Sequence, residues 1–132
     1  MEMNYNYDEA NNIMFVKYTG TISTIDDLNQ MRTLTDQIYL NITKKIWIIA
    51  DISEYKMKNA SLVKEFSKTG KQNTEKYVMG EVMVCNNPIQ KAFSLLFNAV
   101  RGVKSPIYKT VDEAVEYVLK RQETEGKSEP LK

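Results

Sequence analysis

Residues 46–50 read Ile-Trp-Ile-Ile-Ala, an apolar run with no polar residue in it. A strand with one face in water alternates apolar and polar side chains. An unbroken run needs cover on both faces. This segment is therefore expected near the middle of a sheet with helices on either side, and the flanking chain must supply those helices.

It does so in alternation. Met3, Tyr5 and Tyr7 alternate with polar residues, the period of a half-buried strand. The turn-rich residues 8–12 lead into a β-rich segment, IMFVKYTG at 13–20, and the two are expected to form an antiparallel hairpin. Thr24, with Asp27 three residues on, opens a helix over 25–41, in which Leu28, Met31, Leu34, Ile38 and Ile42 recur at helical spacing. The apolar run forms a strand over 44–52. A helix over 59–76 follows, with Leu62, Val63 and Phe66 as its apolar face, and then a strand over 77–85. Residues 86–102 form a helix opened by Pro88 and closed by Gly102. A short strand at 106–110 precedes a last helix over 111–122, opened by the capping box of Thr110 and Glu113.

The expected fold is α/β: a mixed, mostly parallel five-stranded sheet with four helices, in the order β-β-α-β-α-β-α-β-α. The order of the strands within the sheet stays open. Residues 1–122 form one domain, and 123–132, which lack apolar periodicity, are expected as a flexible C-terminal tail.

Composition narrows the chemistry. The chain of 132 residues has no histidine, which removes the commonest general base and metal ligand, and its glycines form no phosphate-binding motif. We expect no catalytic residues, no metal and no cofactor. Cys85 ends a strand where α/β sheets place ligands, but it reads more simply as a small buried side chain. Asp51 ends the central strand and either meets a partner or accepts hydrogen bonds from the following loop. The net charge of +1 and the interleaving of lysines between residues 44 and 76 with Glu54, Glu65 and Glu75 argue against nucleic acid. The single cysteine, the polar N-terminus and the lack of a long apolar stretch lead to an expectation of a cytoplasmic protein with no transmembrane segment.

The third helix carries more apolar surface than a sheet requires. At 100° per residue its apolar side chains span an arc of about 200°, against a little over ~100° for a helix lying on a sheet. Gln90, Lys91, Ser94, Asn98 and Arg101 fill the opposite side, which is expected to face solvent. The surplus, chiefly Leu95 and Phe97 at the two flanks of the arc, must cover a neighbouring helix, a second copy of the chain, another protein or an apolar ligand. A ligand would lie between sheet and helices, against Met57, Phe66, Phe93 and Phe97.

The succession GTISTIDDL, IIADIS, GEVMVCNNPIQKAFSLLF and PIYKTVDEAVEYVL resembles the SpoIIAA-like group of bacterial proteins, related to STAS domains. The resemblance covers residues 3–121 and rests on fold punctuation. It implies a mixed sheet flanked by helices, usually without enzymatic activity. Together with the over-wide apolar arc of the third helix, this leads to the expectation of a non-enzymatic regulatory module that binds a protein partner, or itself as a homodimer, through that helix and the loops after the strands. In the anti-sigma-factor antagonists of that group an acid-Ser-Ser-Gly stretch opens the helix after the central strand, and its first serine is phosphorylated. The matching residues here are Asn59, Ala60, Ser61 and Leu62. Ala60 thus stands where the phosphorylated serine would be, and Ser61 is expected to cap the helix. The wider group includes proteins resembling lipid-binding domains, which keeps a carrier of a small apolar ligand or lipid as the alternative function. The candidate partner or ligand surface is Asp51, Met57, Asn59, Ser61, Phe66, Phe93, Leu95 and Phe97.

Overall fold

The computed structural model describes residues 2–131, apart from the side chains of residues 69–71. Five strands lie side by side in chain order: β1 (Glu2–Asp8), β2 (Ile13–Ile22), β3 (Ile46–Met57), β4 (Val78–Val84) and β5 (Ile107–Tyr108). β1 is antiparallel to β2, and every later pair is parallel. The helices are α1 (Ile25–Asp36), α2 (Ala60–Tyr77), α3 (Pro88–Arg101) and α4 (Val111–Glu125). Right-handed crossovers that keep adding strands in one direction put every connecting helix on the same face. α1, α2 and α3 therefore share a face. α4 follows the last strand and returns across the other.

The expected α/β class and its order of elements are what the structure has. The apolar run is covered on both sides. Trp47 and Ile49 pack with Ile13, Val82, Val84 and, from α4, Ala114 and Val118. Ile46, Ile48 and Ala50 point to the other face and pack with Met14, Val16 and Ile38. A second cluster on that face joins Ile22, Leu28, Met31, Tyr55, Met57, Leu62 and Val63. Helix starts follow the local chemistry. Thr24 and Asp27 form the reciprocal capping box of α1, and Thr110 caps α4. α1 is shorter than the apolar spacing suggests, because a 3-10 turn at Gln37–Tyr39 succeeds it and keeps Ile38 buried.

The central strand differs from its expected span of 44–52. β3 runs on to Met57, and Asp51 lies inside it. The pairing with β2 slips at this point: Lys17 faces Asp51, yet Thr19 faces Glu54. The extra β3 residue forms a bulge. Asp51 Oδ1 holds it by accepting from the Ser53 amide at 3.0 Å and the Ser53 hydroxyl at 2.5 Å. The bulge changes which residues face the helices. Ile48, Ala50 and Ile52 point there before it, and Tyr55 and Met57 after it. Gly20, at φ 122, stands opposite Tyr55.

The C-terminal segment also departs from expectation. α4 continues to Glu125, and the residues after it are fastened to the sheet. The Trp47 indole N–H donates to Gly126 O at 3.3 Å, Asn12 Nδ2 to Lys127 O at 2.5 Å, and the Lys45 amide to Glu129 O at 2.8 Å. These three contacts use backbone carbonyls, the Lys127 amine adds a bond to Ala10 O at 3.2 Å and Glu129 an ion pair with Lys45 at 3.8 Å, and residues 123–130 stay exposed. A segment held in this way shows no apolar periodicity. Asn12 serves the contact from a left-handed conformation, φ 54, which asparagine tolerates better than most residues.

Ending the chain after Gly126 removes the bonds from Asn12 and Lys45. It is expected to cost about 1–3 kcal/mol at about 1 kcal/mol per net hydrogen bond, read as a lower urea midpoint at an unchanged m-value. Gly80 has a separate constraint: a Cβ there would lie 2.5 Å from the Trp47 ring. Gly80→Ala is expected to cost about 1–3 kcal/mol by overpacking and to alter the near-ultraviolet dichroism of Trp47.

Candidate functional site

α3 faces the opposite way from the sequence expectation. Its polar stripe, Gln90, Ser94, Asn98 and Arg101, is buried, while Ile89 is 67% exposed and Leu95 55% exposed. The reason lies in the sheet. The pairing of β3 with β4 ends at Asp51 and Val84, so the rest of β3 lacks a strand on that side. The Gln90 side chain takes the missing strand's place, donating from Nε2 to Ser53 O at 3.0 Å and Tyr55 O at 2.7 Å. Ser94 Oγ donates to Gln90 O at 2.9 Å, and Asn98 Nδ2 to Ser105 O at 2.8 Å in the loop before β5. Gln90 Nε2, Ser94 Oγ and Asn98 Nδ2 are thus all partnered, whereas Gln90 Oε1 is buried without a partner.

Arg101 ends the stripe in a buried ion pair. It meets Glu81 of β4 with two bonds, 3.2 and 2.8 Å, and donates to Thr74 Oγ1 at 3.0 Å and Asn98 Oδ1 at 3.2 Å. Its guanidinium carbon lies 3.9 Å from the centre of the Phe97 ring, a cation–π contact. The pair is almost dry, with side-chain exposures of 1% for Arg101 and 12% for Glu81.

Between the two core clusters of the helix face lies a cavity of about 110 Å³. Its floor is the sheet, at Val16, Ile48, Ala50 and Met83. α2 and α3 contribute Val63, Phe66, Phe93 and Phe97, and Tyr39 closes the α1 side. Phe66 and Phe97 stack with centroids 5.7 Å apart. Tyr18, Tyr39 and Tyr55 also line it, and burial pushes all three phenols up, Tyr18 to about 12. All three are protonated at neutral pH. Glu81 and Arg101 are the only charged residues of the described lining, and they face each other.

Of the sequence candidates, Met57, Phe66, Phe93 and Phe97 meet at this cavity. Asp51, Asn59, Ser61 and Leu95 do not. Asp51 holds the bulge. Asn59, not Ser61, caps α2, its Oδ1 accepting from the Leu62 amide at 3.1 Å. Ala60 and Ser61 occupy the exposed first positions of that helix. Leu95 points to solvent. Cys85 is buried and burial pushes its thiol up, although the Ser94 hydroxyl and the Asn87 amide offset part of that. Among the described residues no three acidic, cysteine or histidine side chains gather as a metal site. No helix of the described residues is long and apolar enough to cross a membrane.

The sequence reading missed Gln90, Arg101, Glu81 and Tyr55 as site residues. Signals for them exist. Glu81 is the single acid in an otherwise apolar strand, VMGEVMV, and so calls for a buried partner. The polar residues of α3 recur at i, i+4 and i+8, a stripe too narrow for a fully solvated face.

Comparison with solved structures names this architecture. An uncharacterised protein from Shewanella loihica, described as having a SpoIIAA-like fold, superposes with a TM-score of 0.63 at 13% identity, over 89% of this chain and 92% of that one. The fold is SpoIIAA-like. An anti-sigma factor antagonist from Mycobacterium paratuberculosis gives a TM-score of 0.57 at 16% identity, over 89% and 95% of the two chains. SpoIIAA in its unphosphorylated form gives 0.58 at 16% identity, over 90% and 97%. Neither a protein-family model nor a curated protein matches the sequence. At these identities the likeness to SpoIIAA-like structures is one of fold.

Breaking a buried ion pair from one side leaves an unpaired charge, a loss of about 3–5 kcal/mol. Glu81→Met is expected to cost that much. The double variant Glu81→Met, Arg101→Met is expected to recover most of it, as measured by chemical unfolding of both.

Proposed function

We propose that this chain is a non-enzymatic regulatory module that docks a protein partner on the outer face of α3. The observation that carries the reading is the orientation of α3. Its polar stripe is committed inside, so an apolar face of Ile89, Ala92, Leu95 and Ala99 is turned to solvent. Two of the solved structures with this fold are an anti-sigma factor antagonist and SpoIIAA, which supports a regulatory role. Charge favours a partner with acidic residues around an apolar centre, because Lys56, Lys58, Lys64 and Lys91 are exposed on the elements beside this face. The resemblance puts Ala60 where the antagonists carry their phosphorylated serine. Ala60 has no hydroxyl, so this module works without that switch. We place it in the cytoplasm, where such regulators act.

The test is affinity capture with three variants. Leu95→Glu and Ile89→Glu are expected to reduce recovery of the specific partner at least tenfold with an unchanged thermal midpoint. Leu119→Glu, at the exposed apolar position of α4 on the other face, is expected to leave it intact. Equal recovery by all three would sink the reading. Sedimentation separates the homodimer version, in which Leu95→Glu converts dimer to monomer.

The cavity favours a second reading, a carrier for a small apolar ligand. Met57, Phe66, Phe93 and Phe97, picked out from sequence for that role, all border it. A ligand enclosed there would lie directly beneath α2 and α3, which frame the proposed docking face.

A further inference from the structure

We propose that the cavity binds a small, neutral, largely apolar molecule carrying a hydroxyl or a similar group that can both give and accept a hydrogen bond. The proposal rests on the carrier reading above and specifies what is carried.

Three buried polar atoms on the described cavity wall have no partner: the Tyr55 hydroxyl, Gln90 Oε1 and Arg101 Nε. Their residues are 8%, 4% and 2% exposed. Buried polar atoms normally find partners, and leaving one without is costly. Gln90 cannot relieve this by turning its amide over, because Nε2 already serves two carbonyls, at Ser53 and Tyr55. A turned amide would set its oxygen against both. Oε1 is therefore a committed acceptor, and the Tyr55 phenol, kept protonated by burial, is a donor that also accepts. The site asks the ligand for a donor at Gln90 Oε1 and offers one from the Tyr55 hydroxyl.

The remaining wall is aromatic and aliphatic, which suits an apolar body. Water alone would satisfy the three atoms but would leave Phe66, Phe93 and Phe97 facing it. The volume is of the order of the engineered apolar cavities that take up benzene, about 150 Å³. Charge sets the remaining limit. The Glu81 carboxylate and the Arg101 guanidinium pair through two bonds, so together they bring no net charge to the wall, although Arg101 Nε still lacks a partner. An ionised ligand would leave water for a wall with no net countercharge. This favours a neutral alcohol over a fatty-acid anion.

The test uses three probes of one shape at pH 7: benzyl alcohol, benzoate and benzylammonium. Binding to the full chain is followed by NMR at the methyl groups of Met57, Val63 and Met83. Benzyl alcohol is expected to shift these signals to saturation, with the two ions binding at least tenfold more weakly. Tyr55→Phe removes a hydroxyl that bonds to no protein atom. It is expected to weaken benzyl alcohol about fivefold, the share of one net hydrogen bond, with the thermal midpoint unchanged. Ala50→Ile, which fills the floor, is expected to abolish binding. Benzoate or benzylammonium binding as tightly as the alcohol would overturn the neutral class and leave the carrier reading standing. Unchanged affinity in both variants would put the probe elsewhere and overturn the assignment of Tyr55. Silence from all three probes would mean a cavity of water only, and would overturn both the ligand class and the carrier reading.

Discussion

Two backbone carbonyls decide much of this structure. β3 outruns β4, and Ser53 O and Tyr55 O are left without a strand to bond them. The amide of Gln90 meets both, and doing so fixes the rotation of α3 about its axis. Everything on that helix follows at intervals of about a turn. Ser94 and Asn98 go inside with Gln90, Arg101 reaches Glu81, and the apolar residues that would have sealed an ordinary core are divided between the cavity wall and solvent. The outer face and the cavity are two results of one rotation.

The bulge in β3 works with that clamp. A regular strand would alternate without interruption, and Tyr55 would face the side opposite Ile52. The extra residue shifts the phase, so Tyr55 and Met57 join Ile48, Ala50 and Ile52 on the helix side. Asp51 fastens the shift through Ser53. The residue that looks most like a functional acid in the sequence therefore acts on the backbone, and its effect on the site runs through the position of Tyr55.

Much of the architecture was legible because it is written in short-range chemistry. The unbroken run at 46–50 demanded cover on both faces, and the caps at Thr24 and Thr110 marked helix starts from a few neighbouring residues. Met57, Phe66, Phe93 and Phe97 were legible as cavity residues because large apolar side chains have few places to go. The orientation of α3 was not legible. Periodicity shows that a helix has two unlike faces, and burial of the apolar one is only the usual outcome. Here the outcome turned on whether distant partners existed for the polar face, and Ser53, Tyr55 and Glu81 belong to other elements. Residues 127–129 were hidden for a related reason: Lys127 and Glu129 are held by their backbone oxygens and by polar side-chain contacts to Ala10 and Lys45, none of which leaves an apolar period in the sequence.

The fastening of that last segment also bears on how the domain assembles. The bond from Asn12 to Lys127 closes a span of 115 residues, and the one from Gln122 to Asn11 closes 111. Contacts so far apart in sequence form late and slowly, since the chain's freedom is lost before they reward it. The first hairpin and the central strands can pair early, but the turn between β1 and β2 stays incomplete until the C-terminal residues arrive. A growing chain therefore leaves this end of its sheet open until residues 122–129 have been made.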